Sequence, residues 1–482
     1  MSEILLLAGE LKTVLAGFSK IVGRKTGLPI LQQIKISHSA SGDITLQATD
    51  LNVWATYQLE AQQPGDAVTF FLPFELLNKT VKALKPDALL TFRQDKPKVS
   101  RLVYEVGGSP VECQLEHIAP DEWPPEPQVN GVAVMLPDEF KAVLKEALEC
   151  VSTQKYILTG ACVDVRDKHA HYLVASDGSH LYAGNSFRFN LPSSVLIPWH
   201  KFIGWSGLAE DGNWLLSTGK KKDEAWIKIT TSHWSYVSKQ MEGEYPDWKH
   251  NIPTPNSKWT RLTLTASAVE SLLKTVPLLP GGEENHSPIT LEVLAGGKVL
   301  IKGRAKDQKE WTSIAVPEVK VTGQPVEVLL NREYVLRALR FGLVQLDVQD
   351  PITPVLFSAA GKTIAIMPVQ GEAAEKFHAA RKAKEKPTPT EPPKPQPQER
   401  RPEMPAMTPP ERGNLKSVSP EASATKEALE KVETIKIQLR DLLGELTDLA
   451  GLLKSAEKEK RSTEKEVASV RQTIRSLQGV KL

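Results

Sequence analysis

VASDGSHLYAG, residues 174–184, sets Ser176, Asp177, Ser179 and His180 within five positions. These are the residue types of a hydrolase nucleophile, base and orienter. Around them, Tyr172, Val174, Leu181 and Ala183 have the spacing of two strands joined by a turn at Asp177-Gly178. Neighbouring side chains on a strand point to opposite faces, so Ser179 and His180 cannot face each other. A nucleophilic serine needs a strained elbow such as G-x-S-x-G, with partners brought from elsewhere in the fold. No such elbow is present here. The stretch reads as a corner between strands, and a Ser/His hydrolase is disfavoured.

The pattern around that corner repeats. Helical patterns begin near GELKTVLAGFSKIV (9–22), PDEFKAVLKEALECV (137–151) and TASAVESLLKTVPLL (265–279), about 128 residues apart each time. A second set follows a buried strand, in VTFFLPFELLNKTVKAL, SSVLIPWHKFIGW and VEVLLNREYVLRAL, with strand-to-helix junctions at Pro73, Pro198 and Asn331. Alternating strands fill the gaps, as in DITLQATDLNVWATYQL. The fold class is α+β, with modules of two helices plus antiparallel strands over 1–128, 129–254 and 255–371.

Composition changes near residue 371. Residues 372–424 read as a disordered, proline-rich linker, with eleven prolines between 387 and 420. Proline fixes φ and removes a donor, so this segment is expected to form neither ladder nor helix. Residues 425–482 then carry a heptad pattern. Val432, Leu439, Leu446, Leu453, Lys460, Val467 and Ile474 take position a; Ile435, Leu442, Leu449, Ala456, Thr463, Val470 and Leu477 take position d. Two readings stand: a coiled coil, whose simplest partner is the same segment of a second copy, or one long helix folded on the body.

The chain has 482 residues and a formal charge of +2, which excludes a uniformly basic coat but not a local basic surface. Cys113, Cys150 and Cys162 lack metal-ligand spacing and read as free thiols in a reducing compartment. No cofactor or metal motif appears. The N-terminus MSEILLLAGELK lacks the features of a signal peptide, and no apolar run is long enough to span a bilayer. A cytoplasmic location is expected.

The text ILTGACVDVRDKHAHYLVASDGSHLYAGNSFRFNLPSSVLIPWHKF is similar to the middle domain of the bacterial DNA polymerase III beta subunit, the sliding clamp. That family shows T-D-G-H-R-L-A here, then V-I-V-P. LPILQQIKISHSASGDITLQATDL (28–51) resembles first-domain strands, EGEYPDWKHNIP (242–253) the F-P-D-Y segment, and TIAIMPVQ (363–370) the closing V-M-P-M-R-L strand. The resemblance covers about 370 residues and nothing beyond 371.

It implies a non-enzymatic processivity factor: a head-to-tail homodimer closed around duplex DNA, six modules with twelve helices lining the hole. Helices facing the hole would carry Lys12, Lys20, Lys79, Lys82, Lys85, Lys141, Lys145, Lys201, Lys274, Arg332, Arg337 and Arg340, with Arg24 and Lys25 in the loop after the first helix. Such contacts go to phosphates, without base information. The resemblance also implies a cleft between the second and third modules for linear peptides of polymerases and clamp loaders. Its wall would include Leu158, Ser176, Gly178, Ser179, His180, Leu181, Pro246, His250, Asn251, Ile352, Met367, Pro368 and Val369.

Three departures stand out. Ser179-His180 replaces the family's His-Arg pair, removing a guanidinium; another Arg position is His250; and 111 residues follow the closing strand. Within the heptads, IQLRDLL (437–443) echoes a clamp-binding peptide. A second functional reading is a clamp-fold adaptor or decoy, of phage or mobile-element origin, that recruits or sequesters replication proteins without encircling DNA.

Overall fold

The computed structural model describes residues 3–385 except 24–27, 97–98, 117–119, 155, 222–223 and 284–285. The rest of the expected linker and the heptad segment lie outside the described residues.

One order of elements occurs three times. The first module runs β1 (Glu3–Leu7), α1 (Ala8–Phe18), β2 (Gln33–His38), β3 (Ile44–Thr49), β4 (Val53–Gln58), β5 (Val68–Pro73), α2 (Phe74–Ala83), β6 (Leu89–Lys96), β7 (Val99–Val106) and β8 (Ser109–Glu116). The second runs β9 (Val134–Leu136), α3 (Asp138–Leu148), β10 (Gly160–Asp164), β11 (His171–Ser176), β12 (His180–Phe187), β13 (Val195–Pro198), α4 (Ser206–Ala209), β14 (Trp214–Lys221), β15 (Glu224–Thr230) and β16 (Trp234–Lys239). The third runs β17 (Thr260–Leu264), α5 (Ala266–Thr275), β18 (Pro288–Val293), β19 (Val299–Gly303), β20 (Thr312–Ala315), β21 (Val319–Thr322), β22 (Val326–Asn331), α6 (Arg332–Arg340), β23 (Gln345–Val348), β24 (Val355–Ala359) and β25 (Lys362–Ile366). Only β21 is additional.

The helices form because apolar residues recur at helical spacing. Leu11, Val14, Leu15 and Phe18 give α1 a buried stripe, and Phe140, Val143, Leu144, Ala147 and Leu148 do the same for α3. Strand burial alternates, as in β2, where Ile34, Ile36 and His38 turn inward. Helix stripes and strand faces share one large apolar core.

Four antiparallel sheets follow. Two are internal: β5-β2-β3-β4-β16-β15-β14-β9, and β13-β10-β11-β12-β25-β24-β23-β17-β21. Two are terminal and half as wide: β1-β6-β7-β8 and β20-β19-β18-β22. The internal sheets join neighbouring modules through the pairs β4·β16 and β12·β25.

Two expectations are corrected. The second helix of the middle module is a single turn of four residues, against ten in α2 and nine in α6. Among the described residues the repeat therefore carries five full helices, not six. The cause is local: Gly204 and Gly207 disfavour a helix, and aromatic rings fill the space instead. Trp234 contacts Phe202, Trp205 and Phe18 at ring separations of 5.0, 5.7 and 5.5 Å. A Cβ on Gly17 would meet the Trp205 ring at 2.7 Å, so that packing needs glycine there.

The first fourteen residues of the expected linker are helical, as α7 (Glu372–Glu385). The proline argument applies only from Pro387 onward. EAAEKFHAARKAKE is rich in strong helix formers and contains no proline. α7 seats its buried Ala374 beside β22.

Candidate functional site

β11 ends at Ser176 and β12 begins at His180, so the quoted stretch is a strand–turn–strand corner. Gly178 turns it at φ 92°. Asp177 Oδ1 accepts the backbone N–H groups of Ser179 (2.8 Å) and His180 (3.0 Å). Ser176 Oγ donates to the His180 carbonyl at 2.7 Å and accepts the Gly178 N–H at 3.0 Å. That hydroxyl is bound to backbone and meets no imidazole.

The His180 ring is buried, with Nδ1 2.9 Å from Asp177 Oδ1 and Nε2 3.0 Å from an Arg337 guanidinium nitrogen. A guanidinium only donates, so Nε2 accepts and the proton is assigned to Nδ1, which lies close to Asp177 Oδ1 without the alignment of a hydrogen bond. Burial pushes the His180 pKa down, more than Asp177 raises it. The imidazole is neutral at neutral pH. For Asp177, burial acts upward, but the adjacent His180 ring, the Tyr334 hydroxyl and the Ser179 backbone N–H outweigh it and hold the carboxyl well below the usual carboxylate range. Tyr334 stacks on His180 at 4.1 Å and donates its O–H to Asp177 Oδ2 at 2.6 Å. Burial first, then the Asp177 carboxylate, pushes the Tyr334 phenol up to about 12.

Tyr334 and Arg337 come from α6 of the third module, so this cluster ties two modules together. Arg337 was expected on the DNA face; the structure sets its guanidinium 3.0 Å from His180 Nε2. The repeat carries the signal that would have found it. Asp50 occupies the equivalent corner of the first module, and His200 Nε2, just after Pro198, sits 3.3 Å from Asp50 Oδ2. Residues following the junctions at Pro198 and Asn331 face the preceding module's corner.

The expected cleft residues fall into groups. Leu158 and Leu181 share a small apolar cluster with Tyr245 and Trp248 of the 242–253 segment, apart from the main core. Met367 is exposed and donates its backbone N–H to Ser179 O at 2.9 Å, laying the closing strand along the corner. Gly178 is exposed and Ser179 half-buried beside it. Pro246, His250 and Asn251 are exposed on the 242–253 segment, with His250 Nδ1 2.7 Å from Asp247. Pro368 is half-buried beside Met367, and Ile352 is half-buried after an Asp350 cap. Val369 departs from the group: it lines a cavity of about 330 Å³ under α7, with Leu329, Pro351 and Ala374.

The basic residues also divide. Lys79, Lys82, Lys85, Lys145, Lys201 and Lys274 are exposed, although Lys274 pairs with Glu270 at 2.7 Å. Lys141 is tied to Gly212 O at 2.7 Å and Lys12 to Leu84 O at 2.9 Å. Lys20 is half-buried and Arg340 exposed. Arg332 does not face outward. It is buried, and its guanidinium donates to Leu279 O at 2.6 Å and Pro280 O at 2.5 Å. Arg24 and Lys25 lie outside the described residues.

Among the described residues, no group of three or more His, Cys, Asp or Glu side chains is placed to hold a metal ion. None of their helices is long and apolar enough to cross a membrane. The three cysteines are unbridged.

No family model matches the chain. It is similar to the beta sliding clamp of Pseudomonas putida, 23% identical over 368 residues, covering 73% of this chain and 95% of that protein. A second relative is the beta sliding clamp of Chlamydia muridarum, 23% identical over 374 residues, 75% of this chain and 97% of that one. Among solved structures it resembles the Bartonella birtlesii DnaN sliding clamp bound to griselimycin, with TM-score 0.66, 19% identity, and coverage of 77% of this chain and 100% of the other. The Bacillus subtilis DNA polymerase sliding clamp gives TM-score 0.65, 18% identity and the same coverages. The fold is that of a sliding clamp, as the four ordered motifs imply.

Proposed function

We propose that this chain is a DNA sliding clamp, a cytoplasmic processivity factor that closes as a head-to-tail dimer around duplex DNA and tethers a polymerase. It is a binding protein and not an enzyme. The observation that carries this is the state of the sheet edges. Each internal sheet is completed where the outer strand of one module pairs with the next: β4 with β16, β12 with β25. By the repeat, β20 is the third member of the series β4, β12, and β8 the third member of the series β16, β25. Among the described residues, β20 pairs only β19 and β8 only β7. Two copies joined β20 to β8 complete both terminal sheets and close a ring. Open edges left unpaired are a liability for a soluble protein. A clamp-fold adaptor that never closes gives these edges no use and is not favoured.

The exposed lysines on α2, on α3 and after β13 suit contacts to phosphate. The corner formed by Ser179, Leu181 and Met367 suits a short peptide, with the exposed Met367 side chain as an apolar anchor beside the exposed turn at Gly178.

Exposed positions on the two edges test the reading. In a Glu112→Cys/Ser313→Cys chain, a bismaleimide reagent is expected to link β8 of one copy to β20 of the other, at twice the chain mass. Monomer mass in sedimentation with no cross-linked product contradicts it.

A further inference from the structure

The two internal junctions differ in how their helix sides are filled. At the second, α6 runs for nine residues and packs Tyr334 and Arg337 on the corner. At the first, the helix after Pro198 is reduced to α4, and a cleft of about 840 Å³ opens between α1, α2 and residues 199–201. Its walls bring together Lys12, Lys20, Asp50, Lys82, Trp199 and Lys201. Asp50 is engaged by His200, and Lys12 by Leu84 O. The ammonium groups of Lys20, Lys82 and Lys201 have no acidic partner among the described residues.

Trp199 is the unusual member. Half of its surface, 50%, is exposed. Its backbone is fixed, with the N–H donating to Thr159 O at 3.1 Å. A large indole held half-open among unpaired ammonium groups does not suit an intact duplex, which keeps its base faces stacked inside and offers phosphates only. It suits an unpaired base, because every base has a π-face to stack and a phosphate on either side. The cleft volume falls within the range of small-molecule sites.

We propose that this cleft holds an unpaired nucleotide of a single nucleic-acid strand, its base stacked on Trp199 and its flanking phosphates on Lys20, Lys82 and Lys201. The assignment adds single-strand recognition to the duplex contacts of the ring, and rests on that reading only for bringing DNA to this face.

The test is fluorescence anisotropy of the full chain with a labelled oligothymidylate and with a duplex of equal length, without any loader. Trp199→Ala is expected to weaken the single strand roughly tenfold and to leave the duplex unchanged. Trp199→Phe retains most of the affinity and serves as the folding control. Lys82→Ala/Lys201→Ala weakens binding and lowers its salt dependence by about two phosphate contacts. Unchanged single-strand affinity in Trp199→Ala, or an equal loss on the duplex, overturns the assignment. So does an oligothymidylate that the unmodified chain fails to bind, the outcome if a protein segment occupies the cleft. Failure to encircle DNA alters neither measurement, so the two readings fail separately.

Discussion

Tyr334 donates its phenolic O–H to Asp177 Oδ2 at 2.6 Å, from the first turn of α6 in the third module to the corner of the second. Hydrogen bonds to a charged group contribute about 1.5–3 kcal/mol. Tyr334→Phe keeps the ring stacked on His180 and removes only this bond. Chemical denaturation is expected to show a stability loss in that range. No change in midpoint or slope would mean the bond contributes nothing to holding the modules together.

Met367 and Leu181 separate binding from stability. Met367 is 46% exposed and Leu181 only 8%. Met367→Ala is therefore the cleaner probe of the corner. If Met367 is a peptide anchor, its truncation weakens a clamp-binding peptide by about 2 kcal/mol or more, with unfolding unchanged. Leu181→Ala instead opens a cavity among Cys162, Val174 and Tyr245, at a cost of about 2–5 kcal/mol. Full peptide affinity in Met367→Ala moves the peptide site elsewhere.

The two junctions are expected to respond oppositely to pH. His233 links the first two modules, with Nδ1 2.6 Å from Asp211 and Nε2 2.9 Å from Glu60, and stacks on Tyr57 at 5.5 Å. Hydrogen bonds to Asp211, then Glu60, raise its pKa. Its contribution is complete below the unfolded value of about 6.5 and is lost as pH rises through the folded value. His180, with its pKa lowered by burial, acts the other way: stability falls as pH drops below about 6.5. Unfolding midpoints across pH check both signs. His233→Gln should flatten the alkaline side only. An unaltered alkaline slope in that variant rejects the assignment.

α7 depends on a small residue at its contact with β22. Ala374 is 2% exposed, so Ala374→Lys cannot bury its ammonium and is expected to undock the helix. Limited proteolysis within 372–385 should speed up while cleavage of residues 3–366 stays unchanged. Equal protection in both chains would place the helix elsewhere.

What sequence made legible was periodic. Helical stripes 128 residues apart mark the three modules, and strand alternation places the corner at Asp177-Gly178. What it hid depended on tertiary partners. An aromatic cluster around Trp234 replaces a helix after Pro198. Arg332 shares a helix with Arg340, yet it turns inward because the carbonyls of Leu279 and Pro280 need donors. Arg337 looks like a phosphate ligand until α6 is docked on His180. No local pattern separates these three arginines: Arg337 meets the corner of the second module, Arg332 the carbonyls of Leu279 and Pro280 within its own module, and Arg340 is exposed.

Encirclement is tested most directly by topology. The protein is loaded onto nicked circular DNA, the free protein is removed, and retention is followed before and after a single cut linearises the circle. A closed ring stays on the circle and runs off the linear form. Equal retention on both, or equal loss from both, contradicts a ring that holds DNA by enclosing it.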